Sequence, residues 1–479
     1  MESPADTEPT PEAAREIAEL HAPVLHFGNR ESIQRDAGFG LSERTVRTLS
    51  KSKSEPDWLL AHRLKYLGLF ERVERTVPWA APALAKLPFD DLCYYSPPLS
   101  TVRGQKQPVD SVVEDVLQEI GIREEEKTVL GGAQAQIDGA VVYGGLRDEW
   151  AKAGVIFVDS ARGLTEYADL FRPHFGTVVG ADINPFTRLN NAMFSGGSFI
   201  YVPPGVKVTA PMKCFMHLQT RCGTQFGRTL IVADKGSEVI FMEGCTSTPR
   251  KEPGLHCAVG EFVALPGSRI QYIAMQDWSR NIFNLAILRA HVYEGASMQW
   301  IDCNLGGRLT MKYPAAVLKG RGASAEMVSI AVAGAGQHHD TGARMLHQAP
   351  QTSSSIRTKS VSFGGGRADY RSLVDMPRTV RDCRSHTECS ALLMDAASRA
   401  DTYPTLCTHG RTNIAQHEAS VSRVGAEQIF YMRQRGLSEA AARSMSINGF
   451  VNDLTERFPL QYSLRIKKLV ELHLDGSVG

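Results

Sequence analysis

The pattern of apolar positions divides the chain into a helical start, a long strand-rich middle and a helical end. Apolar residues recur at helical spacing between residues 58 and 70, after a candidate cap at Ser54 and a first-turn proline at Pro56. A second run with the same spacing spans residues 112–120. We therefore predict an N-terminal helical region over residues 21–130.

From about residue 131 the texture changes to short runs of Val, Ile and Phe separated by glycine, which is typical of strands and turns. A strand–glycine turn–strand unit repeats around Gly236, Gly267, Gly295 and Gly322, at intervals of 31, 28 and 27 residues. This period is typical of stacked repeats and favours a parallel β-helix, whose coils stack ~4.8 Å apart with glycines at the corners. A β-sandwich is the alternative, although its turns usually recur more often.

Helical spacing returns after about residue 420, where Ser438 can cap a helix and residues 462–474 form a last amphipathic segment. The predicted fold class is therefore mainly β. A parallel β-helix core at residues 131–420 lies between the N-terminal helical region and a C-terminal helical region at residues 421–479.

Composition supports a folded protein that binds neither nucleic acid nor membrane. Of its 479 residues, 43% are hydrophobic and 22% charged, with 53 basic against 52 acidic residues and a net charge of +1. No stretch approaches the ~18 apolar residues of a membrane-spanning helix. Residues 1–20 are acidic and proline-rich, which predicts a disordered tail rather than a targeting signal, so we expect a cytoplasmic protein. Its nine cysteines are then expected to be reduced thiols.

Two absent motifs narrow the chemistry. The chain has no Gly-x-x-x-x-Gly-Lys-Ser/Thr phosphate loop, so we expect it not to hydrolyse ATP itself, and any ATPase must be a partner. It also lacks cysteine pairs at Cys-x-x-Cys spacing, which argues against a permanent zinc ribbon or ferredoxin-like cluster. If metal binds to this chain, we therefore expect it to bind loosely.

Four segments carry a family resemblance: Gly197-Ser-Phe-Ile-Tyr-Val-Pro-Pro-Gly205, Glu243-Gly-Cys245-Thr, Gln416-His417-Glu418-Ala419 and Gln428-Ile-Phe-Tyr431-Met-Arg-Gln-Arg-Gly436. They resemble the SufB family of iron–sulfur cluster assembly scaffolds, and the two C-terminal segments are the more specific. The resemblance follows the family in order and covers most of the chain from about residue 94 to its end. The resemblance implies a right-handed parallel β-helix between two helical regions, in agreement with the pattern above.

The resemblance also implies that the chain is a scaffold rather than a stand-alone enzyme, and it implies partners. SufB-type scaffolds work in the SUF system within a complex of SufB, SufD and the ATPase SufC, which residues 421–479 would dock. They receive sulfur from a SufE- or SufU-type carrier loaded by a cysteine desulfurase, build a transient iron–sulfur cluster, and pass it to apo-proteins. A second copy of the chain could replace SufD. A reduced flavin, FADH2, can associate with such complexes, although this chain has no motif for it.

Site residues follow from matching motif positions. Cys245 matches the cysteine that accepts sulfur, and Gln276 and Trp278 match positions on the sulfur path. Cys389 matches a cysteine near the SufD contact, and Glu418 a carboxylate proposed with it as a cluster ligand. Without the resemblance, Cys245 would be a small core residue, Gln276 a hydrogen-bonded amide and Trp278 a packed indole.

His417 is a further candidate iron ligand with less weight than Glu418, because adjacent residues on a strand point to opposite faces. The chain also departs from the family: His217 and Gln219 stand where Arg and Asn are expected, and Leu288 stands where Lys is expected. Two fixed cations are thereby lost from the sulfur path, which weakens the stabilisation of thiolates there. Arg228 or Arg289 could compensate.

Two other functions remain open. A SufD-like structural partner would dock SufC without a cluster site of its own, and the presence of both Cys389 and Glu418 argues against it. A β-helix enzyme acting on polysaccharides would show clustered carboxylates on one outer face, and paired acids are scarce between residues 131 and 418.

Overall fold

The computed structural model describes residues 39–77, 81–95, 130–248 and 251–474. The tail predicted at residues 1–20 and the helix predicted at 112–120 lie outside them. The described chain forms a parallel β-solenoid of about eight turns with helical regions at both ends, with 24% helix and 44% strand. The mainly-β fold class is therefore confirmed.

The strands of the described chain lie between residues 132 and 423. In chain order they are β1 Gly132–Ile137, β2 Ala140–Leu146, β3 Ile156–Asp159, β4 Ser198–Val202, β5 Met212–Leu218, β6 Thr224–Gln225, β7 Arg228–Ala233, β8 Glu238–Ser247, β9 Gly254–Ala264, β10 Arg269–Trp278, β11 Ile282–Val292, β12 Ser297–Gly306, β13 Leu309–Lys312, β14 Ala315–Leu318, β15 Ser324–Ala333, β16 His338–His347, β17 Ser353–Ser362, β18 Arg367–Met376, β19 Arg384–Leu393, β20 Arg399–Thr408 and β21 Ile414–Arg423.

The helices lie at the two ends and between β2 and β4. They are α1 Glu43–Ser52, α2 Asp57–Glu71, α3 Ala81–Leu84, α4 Asp148–Lys152, α5 Ser160–Glu166, α6 Ala168–Phe171, α7 Pro185–Met193, α8 Ala426–Gln434, α9 Glu439–Thr455 and α10 Leu460–Leu474, with a short 3-10 helix at Phe89–Asp91. Helix α2 begins after Pro56, its N-cap residue, so the predicted cap at Ser54 is wrong. Ser438 caps α9 as predicted, through a hydrogen bond from the backbone N–H of Ala441.

Two sheets form opposite walls of the solenoid. The first sheet has the order β2-β1-β5-β8-β10-β12-β15-β17-β19-β21, and the second runs from β20 through β18, β16, β13, β11, β9, β7 and β4 to β3. From β8 onward the chain alternates between the sheets, with β13 and β14 together filling one position of the second sheet between β11 and β16. Neighbours within each sheet pair in parallel. A β-sandwich is excluded, because its sheets are antiparallel.

The repeated glycines occupy one corner of the solenoid, where the chain passes from the second sheet to the first. All four have positive φ angles, which glycine adopts without strain: Gly236 at 67°, Gly267 at 71°, Gly295 at 61° and Gly322 at 70°. Their N–H groups bond to the next coil, as from Gly236 to the carbonyl of Pro266. Gln351 and Asp382 take the same corner in later coils, each with φ 59°.

Helices cover the outer faces of both sheets. Helices α1, α2 and α7 pack on the second sheet, where Leu49 and Phe70 share a buried cluster with Leu285 of β11. Helices α9 and α10 pack on the first sheet, where Val451 and Leu469 belong to a second buried cluster that includes residues of β10 and β12. Successive side chains on a strand point to opposite faces of the sheet. Residues in contact with these helices therefore face outward, and the residues between them along each strand face the interior.

No helix among the described residues is both long and apolar enough to cross a membrane.

Glycine is required most strictly at Gly306, at the end of β12. Its φ is +67° and a Cβ there would overlap the carbonyl oxygen of Trp278.

We predict that Gly306→Ala lowers the melting temperature more than Gly295→Ala. Both variants incur ~1–2 kcal/mol for a left-handed alanine, but a Cβ at Gly295 meets no atom within 4 Å, whereas the Gly306 variant adds ~1–3 kcal/mol of overpacking. Thermal denaturation by circular dichroism compares them, and equal melting temperatures would contradict the predicted overlap.

Candidate functional site

Cys245 lies inside the solenoid. On β8 it shares the inward face with Val239 and Phe241, and it is completely buried. In the parallel register Cys245 lies beside Gln276 of β10, which in turn lies beside Asn304 of β12. The structure therefore brings together two residues that the sequence singled out 31 positions apart.

A polar lining extends from Gln276 across to the second sheet. The amide of Asn284 on β11 donates to Gln276 Oε1 at 2.5 Å. Trp278, which shares the inward face, packs its ring 4.7 Å from that of His256 on β9. Burial is the main reason that the pKa of His256 falls to about 3, so this ring is neutral at physiological pH. Both predicted path residues therefore face a polar interior that spans the two walls.

A carboxyl group contacts the Cys245 thiol directly. Glu243 stands two residues earlier on the same inward face, with its Oε1 3.8 Å from Cys245 Sγ. Tyr272 of β10 donates its hydroxyl to the same oxygen at 2.7 Å. Burial raises the pKa of Glu243, opposed by the Tyr272 hydrogen bond and by the charge of Lys312. Burial, and then the neighbouring Glu243 charge, raise the pKa of Cys245 well above its usual range.

The interior contains a buried ion pair that sequence analysis missed. Lys312 of β13 lies 2.5 Å from Asp302 of β12, and both side chains are almost fully buried. Asn304 donates to the other oxygen of Asp302 at 2.6 Å. The charge of Lys312 opposes the rise in the pKa values of both Glu243 and Cys245. The sequence does contain a signal for this ion pair, because Lys312 stands at an inward-facing position of a short, mostly apolar strand.

This pair bears on the cation expected at Leu288. The Leu288 side chain lies in the same interior cluster as Cys245, so a lysine at this position would point into the same interior. Arg228 does not substitute for that lysine, because its side chain lies outside the solenoid. There it forms an ion pair of 2.6 Å with Glu261 of β9 and stacks on the ring of Phe175. Lys312 therefore provides a buried cation inside the solenoid.

His217 faces away from Cys245. Met216 of β5 is the register partner of Cys245, whereas His217 pairs with Thr246 on the outward face. Its ring nitrogens lie 2.9 Å from the hydroxyl of Thr246 and 3.1 Å from that of Thr248. Gln219 lies just beyond β5, where its backbone N–H donates to Asp138 at 2.7 Å. Substitution at His217 therefore leaves the inward face of Cys245 unchanged.

One register column joins the surroundings of Cys245 to Cys389. From β8 to β19 of the first sheet, each member of this column pairs in parallel register with the next. The members are Glu243, Ala274, Asp302, Ser329, Thr358 and Cys389. Cys389 on β19 is five strands from β8, which corresponds to about 24 Å at ~4.8 Å per strand. All members except Ala274 carry a polar group or a thiol, so a mostly polar stripe connects the two cysteines.

Cys389 contacts His417 but not Glu418. The Sγ of Cys389 lies 3.8 Å from Nε2 of His417 on β21. Burial raises the pKa of Cys389 to about 11 and lowers that of His417. Glu418 pairs with Glu388 on the opposite face and is exposed. Strand parity therefore places His417, rather than Glu418, beside Cys389.

The solenoid ends in an open coil immediately after Cys389. Strand β21 is the last of the first sheet and β20 the last of the second, so one edge of each strand has no neighbour among the described residues. Apolar side chains are exposed on these two strands: Tyr403, Leu406, Ile414 and Val421. Unpaired edges with exposed apolar residues favour association with another chain.

His338, Asp340 and Asp369 form the one group of three or more potential metal ligands within the described ranges. Arg371 already lies 2.8 Å from Asp340, and Arg367 lies 2.9 Å from Asp369. Because arginines neutralise both carboxylates, the group is better explained as an ion-pair network than as a metal centre.

Fold and site together define a β-solenoid whose largely apolar interior contains buried polar groups and thiols, with helices on its outer faces. The family model for the SUF system FeS cluster assembly SufBD core domain matches residues 216–450. SufBD family protein SSP1857 of Staphylococcus saprophyticus, described as an iron–sulfur cluster assembly protein, is 40% identical over 440 residues, covering 92% of this chain and 94% of the relative. Protein SH2035 of Staphylococcus haemolyticus matches equally. The chain belongs to the SufBD family of iron–sulfur cluster assembly proteins.

The burial of Cys245 predicts low reactivity in the folded protein. At pH 8 we expect iodoacetamide to alkylate Cys245 at least ~100-fold more slowly than Cys407, because the Cys245 thiol is inaccessible and its pKa is raised. Cys407 lies half-buried on β20 and serves as the internal reference. Mass spectrometry of labelled peptides measures both rates, and in denaturant they should converge. Equal rates in the folded protein would contradict the buried position.

Proposed function

We propose that this chain is a SufB-type scaffold subunit of the SUF system, which accepts persulfide sulfur on Cys245 and assembles a transient iron–sulfur cluster near Cys389 for transfer to apo-proteins. The observation that carries the proposal is the register column from Glu243, beside Cys245, to Cys389 at the open coil. It links a shielded thiol to a thiol next to the surface on which a partner can dock. The chain acts as a scaffold rather than an enzyme, and ATP is hydrolysed by SufC.

The interior suits the handling of sulfur. Sulfur comes from a SufE- or SufU-type carrier that a cysteine desulfurase has loaded, and Cys245 is the acceptor. Gln276 beside it and Trp278 two residues further along the same inward face of β10 line the sulfur path around Cys245. An interior closed to bulk solvent protects a persulfide from the over-oxidation that an exposed one undergoes.

The open coil suits transient assembly of the cluster, which is the cargo of the protein. Cys389 supplies a soft thiolate, and His417, 3.8 Å away, supplies an imidazole. Glu418 points to the opposite face of β21, so it joins the ligand set only if this edge strand shifts when a partner pairs with it. A mixed set of thiolate, imidazole and carboxylate holds iron less firmly than four thiolates, which permits release.

The partner at the open coil is SufD or a second copy of this chain. Pairing of a second chain with β20 and β21 would satisfy their free backbone groups and cover the exposed Leu406 and Val421. It would also enclose the Cys389–His417 pair at the interface, where a cluster is shielded from water and oxygen.

The C-terminal helices are the proposed docking site for SufC. None of the residues of α8 is buried, and its Phe430 and Tyr431 are 62% and 59% exposed. Tyr431 also lines a mostly apolar cleft with Val424 and with Phe450 of α9. Because α9 packs on the first sheet over the interior site, movement imposed by the ATPase would reach the walls of the solenoid.

A flavin is not part of this proposal. The cleft beside α8 has Glu427 and no cationic side chain to bind the pyrophosphate of FADH2. A second cleft is lined by residues of α1 alone, including Arg44, Arg47 and Lys51, and has no aromatic or aliphatic residue to pack against the flavin ring. The residues of these clefts do not fit the cofactor.

Loss of the ligand pair tests cluster assembly. We predict that anaerobic reconstitution with ferrous iron and sulfide gives visible absorbance from the wild-type protein, and that Cys389→Ala with His417→Ala removes most of it, because both side chains at the open coil are lost. Cys389→Ala with Glu418→Ala should do the same if Glu418 is a ligand. Cys407→Ala on the neighbouring strand is the matched control and should keep the absorbance. Iron and sulfide analysis quantifies each sample.

Unchanged absorbance in both double variants would contradict the cluster site. The SufD-like alternative, a structural partner that docks SufC without a cluster, would then be favoured.

Docking of SufC can be tested without disturbing the solenoid. Truncation after Val424 would uncover the apolar face beneath α9 and α10, so surface substitutions are preferable. We predict that Phe430→Asp with Tyr431→Asp weakens binding of purified SufC at least ~10-fold, since two exposed aromatic anchors are replaced by charges. Val141→Asp, at an exposed position on β2 near the other end of the first sheet, should leave affinity unchanged. Isothermal titration calorimetry measures the affinity of each variant for SufC. Equal affinities of the two variants would mean that SufC docks on another surface.

A further inference from the structure

We infer that Glu243 is the proton acceptor for Cys245 and that Tyr272 positions its carboxylate, so that the thiol is activated inside the solenoid by its own neighbour on β8. This inference rests on the proposed function, because it assigns the proton transfer that sulfur acceptance on Cys245 requires.

The contacts supply the geometry. Glu243 and Cys245 are two residues apart on one strand, and the Sγ of Cys245 is 3.8 Å from Glu243 Oε1, within reach of a thiol hydrogen bond. The hydroxyl of Tyr272 donates to the same oxygen at 2.7 Å from the neighbouring strand. Both Glu243 and Tyr272 are buried, so the carboxyl group is held in one place.

Charge balance explains why the acceptor must be local. A buried thiolate formed by losing its proton to bulk water adds a new charge to a poorly solvated site, and its desolvation is costly. When the proton moves instead from Sγ to an ionised Glu243, the site keeps a single negative charge. Burial is the main reason that the pKa values of both groups are raised. The charge of Glu243 raises that of Cys245 further, whereas the hydrogen bond from the Cys245 thiol favours the ionised carboxylate.

The groups that face Glu243 support one negative charge there. Lys312 stabilises it, and Asp302, which pairs with Lys312, opposes it. Cys214 of β5 is the register partner of Glu243, and burial raises its pKa as well, so it stays a neutral thiol. The site can therefore hold one ionised group, either the carboxylate before transfer or the thiolate after it.

The transfer step balances without an oxidant. The Cys245 proton passes to Glu243, and the thiolate attacks the outer sulfur of a donor persulfide R–S–SH. A Cys245 S–S bond forms, the donor S–S bond breaks, and R–S⁻ leaves with the electron pair of that bond. Glu243 then returns the proton to the leaving thiolate. The net products are the Cys245 persulfide and R–SH, and no electrons are gained or lost overall.

The experiment measures the pH dependence of persulfide formation on Cys245. Wild-type protein and Glu243→Gln react with a persulfide-loaded SufE-type carrier, the proposed donor to this buried thiol, between pH 6 and pH 10, approximate limits set by the pKa of cysteine thiols. Mass spectrometry follows the Cys245 peptide. In the wild type the rate should rise as Glu243 ionises and then level off. In the Gln variant the rate at neutral pH should fall about 100-fold and continue to rise in alkali, because the thiol itself must ionise.

Two further variants separate this role from a structural one. Tyr272→Phe keeps the carboxylate but removes a hydrogen bond that favours its ionised form, so the rise should shift to higher pH and reach a similar plateau. Glu238→Gln, at a solvent-accessible position on the same strand, is the matched control and should behave as the wild type. Circular dichroism confirms that each variant is folded.

The outcomes separate the two proposals. If Glu243→Gln forms the persulfide with the wild-type rate and pH profile, the role of Glu243 is overturned while the proposed function stands. If the wild-type protein forms no persulfide on Cys245 at any pH, sulfur acceptance at this residue is itself refuted, and the inference fails with it.

Discussion

Parallel stacking of coils in a fixed register is the constraint on which the rest of the structure depends. Because each residue of one coil pairs with a defined residue of the next, the inward side chains form columns that run the length of the solenoid. Such a column places reactive side chains in a continuous row that crosses many strands. Glu243 and Cys389 are 146 residues apart in the sequence, yet they belong to one column.

The glycine repeat made much of this fold predictable. Gly236, Gly267, Gly295 and Gly322 mark the corners because the left-handed backbone there disfavours most other residues. Once the corners are known, strand parity determines which residues point inward. The proximity of Cys245 and Gln276 follows from the coil length, although the sequence alone did not supply the register.

The parts that sequence analysis missed depend on contacts between coils and between sheets. Lys312 lies on β13 and reaches Asp302 on β12 across the interior, and no local pattern specifies which strands face each other at that level. The faces of His417 and Glu418 depend on the register of β21 against β19. A shift of one residue would exchange their positions, so the motif predicts both residues but not which one meets Cys389.

The last coil has a geometric consequence for the size of any assembly. The two ends of the solenoid differ: β2 and β3 pair antiparallel with their neighbours, whereas β20 and β21 pair only in parallel. A twofold contact through the last coils consumes the same surface on both chains and leaves no equivalent surface for a third. Such a contact would close at two chains rather than grow into a filament, so a surface used in this way would limit the number of companions to one.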